Sequence, residues 1–544
     1  MFRIQGNSGA LVLAAAMAVL MPALASGDEP APATPGQFAN ETDLAYGKLF
    51  DDREKDWRNG AIVYQVLVDR FAPPANLEQK RALYPAPKVL RRWDEVPTRG
   101  TYLADAKVWS HEIDFWGGDL QSVRGRLDYI KQMGADVVYL NPIHLAWTNH
   151  KYDALDYKDI SPEFGTREDL DALIGDVHRQ GMKIVLDGVF NHVGRNSKMF
   201  QEAAADPGSP YRSWFYFGPQ YPGGARIWRD AANLLELNLE NPTVRDYVYA
   251  SPDSVVQSYL AEGTDGWRLD VAYDIGFSFL GGLTRAAHQR KPGSLVIGEL
   301  SNYPREWFPS VDGVINFTMR QILIKTVQGE IAADVSARMI DRIITEAGIE
   351  PMLKSWMMLD NHDTQRIGTE LPVESQRRLA QVLQFTLPGS PNVYYGTELG
   401  MTGAGDPEMR APMRWDLVNE RNPTLAWMKK LIAVRKQHRA LRIGNFRLLG
   451  AGKLFAFERY TDRIQDAVVV IANPSKEAIT EIVMVPDSKL MSDVVTLANL
   501  LDPSAKPVPI NSAMLTVTVP ADSVLVLAPD MRLKDGYTPY KRIQ

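Results

Sequence analysis

The stretch Gly266-Trp267-Arg268-Leu269-Asp270-Val271-Ala272 sets an arginine and a carboxylate inside an otherwise apolar run. Two charges among apolar side chains are costly unless they are paired or put to use. The run reads as a short buried strand that ends on those charges. Three others end alike: Asp187-Gly188-Val189-Phe190-Asn191-His192, Val296-Ile297-Gly298-Glu299 and Leu359-Asp360-Asn361-His362-Asp363. Polar groups gathered at the ends of several parallel strands are how a barrel enzyme builds an active site.

Working outward, strand-like apolar runs recur at residues 61–71, 137–141, 183–188, 266–271, 295–299, 313–317, 356–360 and 392–395. Amphipathic helical stretches separate them. That alternation implies parallel pairing, and eight strands predict an α/β fold, a (β/α)8 TIM barrel over residues 41–438. A doubly wound open sheet is the alternative, but no Gly-rich phosphate loop follows any strand. Roughly 75 residues separate the third and fourth strands, more than one crossover helix needs. The excess, about residues 193–235, predicts a small inserted subdomain; it holds Trp214, Phe215, Tyr216, Phe217, Tyr221 and Trp228. Residues 72–116 form a second long, loop-like stretch. From about residue 439 to 530 the period changes to short alternating or β-branched runs between turns. This predicts a C-terminal antiparallel β-sandwich, followed by a tail at 531–544.

Of the 544 residues, 45% are hydrophobic and 23% charged, as in an ordinary soluble protein. A net charge of −6 gives no basic footprint for nucleic acid. Residues 1–25 read as a signal peptide: Arg3, an apolar run from Leu11 to Leu20, then Ala23-Leu24-Ala25, with cleavage expected after Ala25. Residues 26–40, rich in Pro, Ala and Gly, read as a disordered lead-in. No other segment reads as a membrane span. Export with no cysteine suits a periplasm or culture medium, and stability must come without disulfides.

The strand ends carry the chemistry. Arg268 and Asp270 stand two apart on one strand and face the same way. A guanidinium beside a carboxylate favours the ionised form, which suits a nucleophile; read alone, the pair is equally a buried structural salt bridge. Glu299 ends the next strand after an apolar run, a setting that suits a proton donor; read alone, it is an ordinary strand-end glutamate. Asp363 after His362 would stabilise developing positive charge, or cap a turn. Three of the eight histidines, His150, His192 and His362, fall in these segments, which favours hydroxyl recognition. They lack the spacing of zinc ligands. Tyr152 would lie flat against a sugar ring or pack in the core. The excursion's Trp214 or Trp228 would contact substrate, or form the excursion's own core.

In order and wording these segments resemble the alpha-amylase superfamily of retaining glycoside hydrolases. The run from Tyr394 to Met401, with Asp406-Pro407 and Arg410 after it, also matches the family. The resemblance implies that Asp270 is the nucleophile, Glu299 the general acid/base and Asp363 the transition-state stabiliser. It implies that His150, Tyr152, His192, Arg268, His362 and Arg366 surround the sugar that is cleaved, supported by Asp187 and Asn191. Within the superfamily the segments look most like the cyclomaltodextrinase, neopullulanase and maltogenic amylase group.

Several departures stand out. Leu234-Leu235-Glu236-Leu237-Asn238 replaces the group's Met-Pro-Lys-Leu-Asn. Tyr273-Asp274 stand where Asn-Glu is usual, and Leu300 where a tryptophan commonly follows the acid/base. The first strand begins too early to leave room for the group's additional N-terminal β-domain. The Lys-His element of typical alpha-amylases, whose histidine helps bind calcium, is absent, so no cofactor and no metal are expected. The implied function is a secreted, retaining hydrolase of short alpha-glucans such as maltooligosaccharides or cyclodextrins. A transglycosylase would use the same site. A non-catalytic carbohydrate-binding protein on this fold typically loses a carboxylate, and here all three are present.

Overall fold

A computed structural model describes residues 41–488, 490 and 495–530. The expected signal peptide, lead-in and tail lie outside the described residues. The eight expected runs form eight strands: β1 (Val63–Val66), β2 (Val137–Leu140), β3 (Lys183–Gly188), β4 (Gly266–Leu269), β5 (Leu295–Leu300), β6 (Gly313–Asn316), β7 (Trp356–Met357) and β8 (Ser390–Tyr394). They close into a parallel barrel in which each strand pairs with its neighbours in sequence and β1 meets β8. β7 is shorter than its run suggests. Only Ile315↔Trp356 joins it to β6, so residues 358–360 have already left the sheet.

Side chains alternate across each strand, and the two faces meet different surroundings. Val63, Val137, Tyr139, Val185, Leu295, Ile297, Ile315 and Trp356 fill the lower barrel interior. Tyr139 and Trp356 bring their rings to 5.0 Å there. Tyr64, Leu140, Leu186, Trp267 and Val314 point outward beneath the helices. The helix Arg167–Arg179 shows how those layers form. Thr166 and Asp169 make a capping box at its start, and Leu170, Leu173, Ile174 and Val177 make its buried stripe. Gly266 lets β4 approach β5, because a Cβ there would lie 2.3 Å from the Leu295 carbonyl oxygen. Above the apolar layer the interior turns polar, with Gln65, Asp187, Arg268 and Asn392 all buried. The strand ends stand on that polar layer.

Two excursions rise beside the strand ends. The one after β3 opens and closes with an antiparallel pair, His192–Gly194 against Leu234–Glu236. The stretch after β1 carries short strands and two short helical segments, Glu78–Leu83 and Ser110–Ile113.

The C-terminal part contains β9 (Asn445–Leu448), β10 (Phe455–Tyr460), β11 (Val468–Asn473), β12 (Ile479–Met484), β13 (Thr496–Asn499), β14 (Val508–Pro509), β15 (Met514–Val519) and β16 (Ser523–Asp530). Six strands form one antiparallel sheet, ordered β9-β10-β11-β16-β13-β14, and β12 pairs with β15. Ala456, Val469, Ile471, Val483, Leu515 and Val517 share a core between the two layers. The intervening Phe455, Phe457, Val468 and Val470 belong instead to the core of the barrel. The large sheet is therefore buried on both faces. Arg459 reinforces the junction by donating to the carbonyls of Thr386 (2.8 Å), Leu441 (3.2 Å), Gly444 (2.9 Å) and Asn445 (3.2 Å).

A shared core predicts shared unfolding. Phe457→Ala should cost about 3–5 kcal/mol and move one calorimetric transition of the whole chain to lower temperature. Two separate transitions, with only one of them moved, would show that barrel and sandwich unfold independently.

Candidate active site

Arg268 organises the strand ends. It is wholly buried and register-paired with Asp187 across β3 and β4. Its Nη1 donates to both Asp187 oxygens, at 2.8 and 3.0 Å, and to Asp270 Oδ1 at 3.0 Å. Its Nη2 lies 2.9 Å from Glu299 Oε1. Leu269 is the register partner of Gly298, so one step further along both strands sets Asp270 beside Glu299. Asp187 is saturated by Arg268 together with the hydroxyls of Tyr139 (2.6 Å) and Tyr152 (2.8 Å).

One guanidinium faces three buried carboxylates, and a buried charge without full compensation takes up a proton. Burial raises the Asp270 carboxyl well above the usual range, outweighing the pull of Arg268, and the neighbouring Glu299 raises it further. This corrects the expectation that Arg268 alone fixes Asp270 in its ionised form. Arg268 pulls the Asp270 carboxyl down, and burial with the neighbouring carboxylates outweighs that pull.

The peptide after Asp270 is also bound to this pair. Val271 adopts φ 40, ψ 44, the left-handed region that a β-branched residue avoids. Such a conformation costs of order 1–3 kcal/mol and persists only where its surroundings hold it. Here the Val271 N–H donates to Glu299 Oε2 at 2.9 Å. Lys151 repeats the device with φ 64, between His150 and Tyr152. Its own side chain is buried against Glu163 at 3.2 Å.

Asp363 stands opposite, facing the open cleft. Its position low in the cleft works against ionisation. His362 Nε2 at 2.9 Å and Arg410 Nη2 at 3.1 Å more than offset this and hold its carboxyl well below the usual carboxylate range. The amide groups of Gln65 (2.9 Å) and Asn141 (3.2 Å) donate to His362 Nδ1, which leaves the ring hydrogen on Nε2. Tyr152 stacks on His362 with ring centroids 5.2 Å apart and planes 3° apart.

These groups surround a cavity of about 460 Å³. Six of the nine site residues expected from sequence line it: His150, Tyr152, His192, Asp270, Glu299 and Asp363. Arg268 and His362 lie directly beneath and act through the carboxylates. Arg366 does not reach the cavity, against the expectation. It is fully buried, donates to the carbonyls of Met409 (2.9 Å) and Tyr395, and sits 4.0 Å from the centre of the Tyr394 ring. It holds in place the loop that carries Arg410, and Arg410 is the arginine that meets Asp363. Asn191 is buried beside His192, 3.2 Å from its Nδ1.

The cavity walls add residues that the sequence reading did not nominate. Glu112 pairs with His150 Nε2 at 3.2 Å, and Asp406 with Arg410 at 3.4 Å and His111 at 3.2 Å. Glu112 sits on the irregular stretch after β1, where neither a strand end nor a periodic pattern marks it. The excursion's two tryptophans part company. Trp214 packs at 5.0 Å from Tyr211 and 5.3 Å from Tyr247, and donates to Thr243 Oγ1 at 2.8 Å. It packs the excursion against the segment that follows it, as part of the main core. Trp228 lines the cavity, stacked 5.5 Å from His192. Burial pushes His192 down to about 4, and it donates to the Tyr152 carbonyl at 3.1 Å. Two bonds tie the excursion to the segment after β4: Trp228 Nε1 to Asp274 Oδ2 at 2.8 Å, and Arg229 Nη2 to the Tyr273 hydroxyl at 2.9 Å. The unusual Tyr273-Asp274 pair thus finds its partners.

Residues 65–424 match the alpha-amylase catalytic domain. The chain is 32% identical over 454 residues to neopullulanase 2 of Thermoactinomyces vulgaris, covering 80% of this chain and 72% of that one. It is 30% identical over 466 residues to the cyclomaltodextrinase of Thermoanaerobacter pseudethanolicus, covering 82% and 75%. Among solved structures, the cyclic alpha-maltosyl-(1→6)-maltose hydrolase of Arthrobacter globiformis, in complex with that sugar, superposes with a TM-score of 0.72. It is 28% identical and covers 87% of this chain and 99% of that one. The matched region contains all eight barrel strands beyond the start of the first and every cavity residue described above, and the chain belongs to the alpha-amylase family of glycoside hydrolases.

Proposed function

We propose that this protein is a retaining alpha-glucan hydrolase acting on maltooligosaccharides, cyclodextrins or related short alpha-glucans. The observation that carries the reading is the bridging of Asp270 and Glu299 by one buried arginine, with both carboxylates lining the cavity that Asp363 faces. The names of the relatives agree with it: a neopullulanase, a cyclomaltodextrinase and a hydrolase of a cyclic maltosyl sugar.

Retention takes two displacements. Glu299 gives its proton to the leaving glycosidic oxygen as the Asp270 carboxylate attacks the anomeric carbon. The C–O bond to the leaving sugar breaks and an ester to Asp270 forms. Glu299, now a carboxylate, takes a proton from water; the water oxygen attacks the same carbon and frees Asp270. Positive charge grows on the ring in both steps, and the Asp363 carboxylate, held ionised by His362 and Arg410, is placed to stabilise it. Each step needs one carboxyl protonated and the other not, and Arg268 holds Asp270 and Glu299 side by side for that exchange. The N-terminal segment supports a further reading, that the enzyme is exported to the periplasm or medium.

Asp270→Asn should lower turnover by several orders of magnitude without lowering thermal stability; a variant that keeps a tenth of wild-type turnover rules out Asp270 as nucleophile. Glu299→Gln should fail on maltooligosaccharides but retain activity on maltosyl fluoride, whose leaving group needs no proton. Glu299 raises the Asp270 carboxyl, so its neutralisation lets Asp270 ionise at lower pH. The acid limb of fluoride hydrolysis should therefore move to lower pH in this variant, and a limb that stays or rises contradicts the coupling.

Trp228→Ala should raise KM about fivefold or more, while Trp214→Ala should cost about 3–5 kcal/mol of stability with KM unchanged. The reverse pattern would return Trp214 to the substrate. N-terminal sequencing of protein recovered from the periplasm should begin at Ser26 or within a few residues of it. An intact Met1 in an active cytosolic pool would contradict export.

A further inference from the structure

A second concavity, of about 950 Å³, lies between the helices Phe317–Val327 and Ala333–Ala347 and the segment after β5. It adjoins the catalytic cavity at Ser301 and Phe317, which line both. We propose that this groove binds the leaving-side segment of a linear alpha-glucan. The proposal rests on the hydrolase reading above and adds where the outgoing chain lies.

The direction follows from the chemistry. The residue that protonates the leaving oxygen must stand on the side of the departing sugar. Ser301 is two residues beyond Glu299 on the same strand end. Phe317 follows β6, whose Ile315 is the register partner of Glu299. The shared residues are therefore on the Glu299 side. Away from it the cavity is walled by paired charges: Glu112 with His150, and Asp406 with Arg410 and His111. The lining of the groove overlaps that of the catalytic cavity at two residues, Ser301 and Phe317.

Its lining suits a sugar chain. A pyranose presents an apolar face and a polar edge, and a site for it needs flat or soft apolar surface rimmed by a few oriented polar groups. Tyr303 and Met339 are 36% and 42% exposed, so both present apolar surface to a ligand. Both line the groove together with Phe317. Glu346 is held in place by the Tyr303 hydroxyl at 2.9 Å and Arg342 Nε at 2.7 Å. Gln321 adds an amide to the rim. The carboxylate, guanidinium and amide can then bond vicinal hydroxyls while the rings and the thioether take the apolar faces.

The test compares wild type with Met339→Lys and Tyr303→Ala, measuring kcat/KM on maltoheptaose and on maltotriose. Both positions are exposed, so melting temperatures should stay near wild type. The wild-type ratio of maltoheptaose to maltotriose should exceed one and fall about fivefold in each variant, the loss expected when an anchoring contact is removed. A ratio within twofold of wild type in both variants overturns the groove and leaves the hydrolase reading standing. A shift in sedimentation with an unchanged ratio identifies the surface as a contact between copies, and also overturns it. Failure of the wild-type enzyme on every alpha-glucan overturns the hydrolase reading and this one with it.

Discussion

One buried guanidinium carries the site. Arg268 has no access to water, and three carboxylates from three adjacent strand ends converge on it. Removing the arginine from such a cluster would leave three carboxylates uncompensated in a low-dielectric setting, which is far costlier than losing a surface pair. The cluster therefore fixes the relative height of β3, β4 and β5. The saturated Asp187 anchors the arginine from below, the barrel register sets the level, and Asp270 and Glu299 are left as the members with bonding capacity toward the cavity. The apolar layer around Tyr139 and Trp356 keeps water from reaching the arginine from beneath.

Charge is then distributed unevenly across the cleft. On the Asp270 and Glu299 side one guanidinium meets three carboxylates, and burial raises the Asp270 carboxyl. On the Asp363 side His362 Nε2 and the Arg410 guanidinium both meet the one carboxylate, and the carboxyl stays ionised. Two environments around one cavity assign different roles to chemically similar groups. Packing arranges this as much as pairing does: Tyr152 stacks on His362, and the amides of Gln65 and Asn141 orient that ring from the barrel interior.

The barrel was legible in the sequence because its strands are buried on both faces and read as unbroken apolar runs, with charge only at their ends. The sandwich was legible through alternation, although that alternation did not reveal that Phe455 and Phe457 face the barrel. The carboxylates were legible because each follows an apolar run. What escaped the reading lies on irregular backbone. Glu112 has no periodic context, and its pairing with His150 depends on how the stretch after β1 folds over the strand ends. Arg366 and Arg410 are both near Asp363 in the chain or in the fold. Only the path of the loop after β8 decides that Arg410 reaches the carboxylate while Arg366 turns inward to backbone carbonyls. Trp214 and Trp228 share one aromatic-rich excursion, and nothing in their spacing separates a core ring from a cavity ring.

The two bonds that join the excursion to the segment after β4 bear on how the enzyme turns over. Trp228 to Asp274 and Arg229 to Tyr273 span the mouth of the cleft from opposite sides. With both in place the excursion is tied down at its cavity edge, and swinging it outward would break two hydrogen bonds and the contact of Trp228 with His192. Both bonds are at the surface, so each contributes only about 1 kcal/mol. They set the resting width of the gap through which a sugar enters, and that width is open to adjustment at small cost.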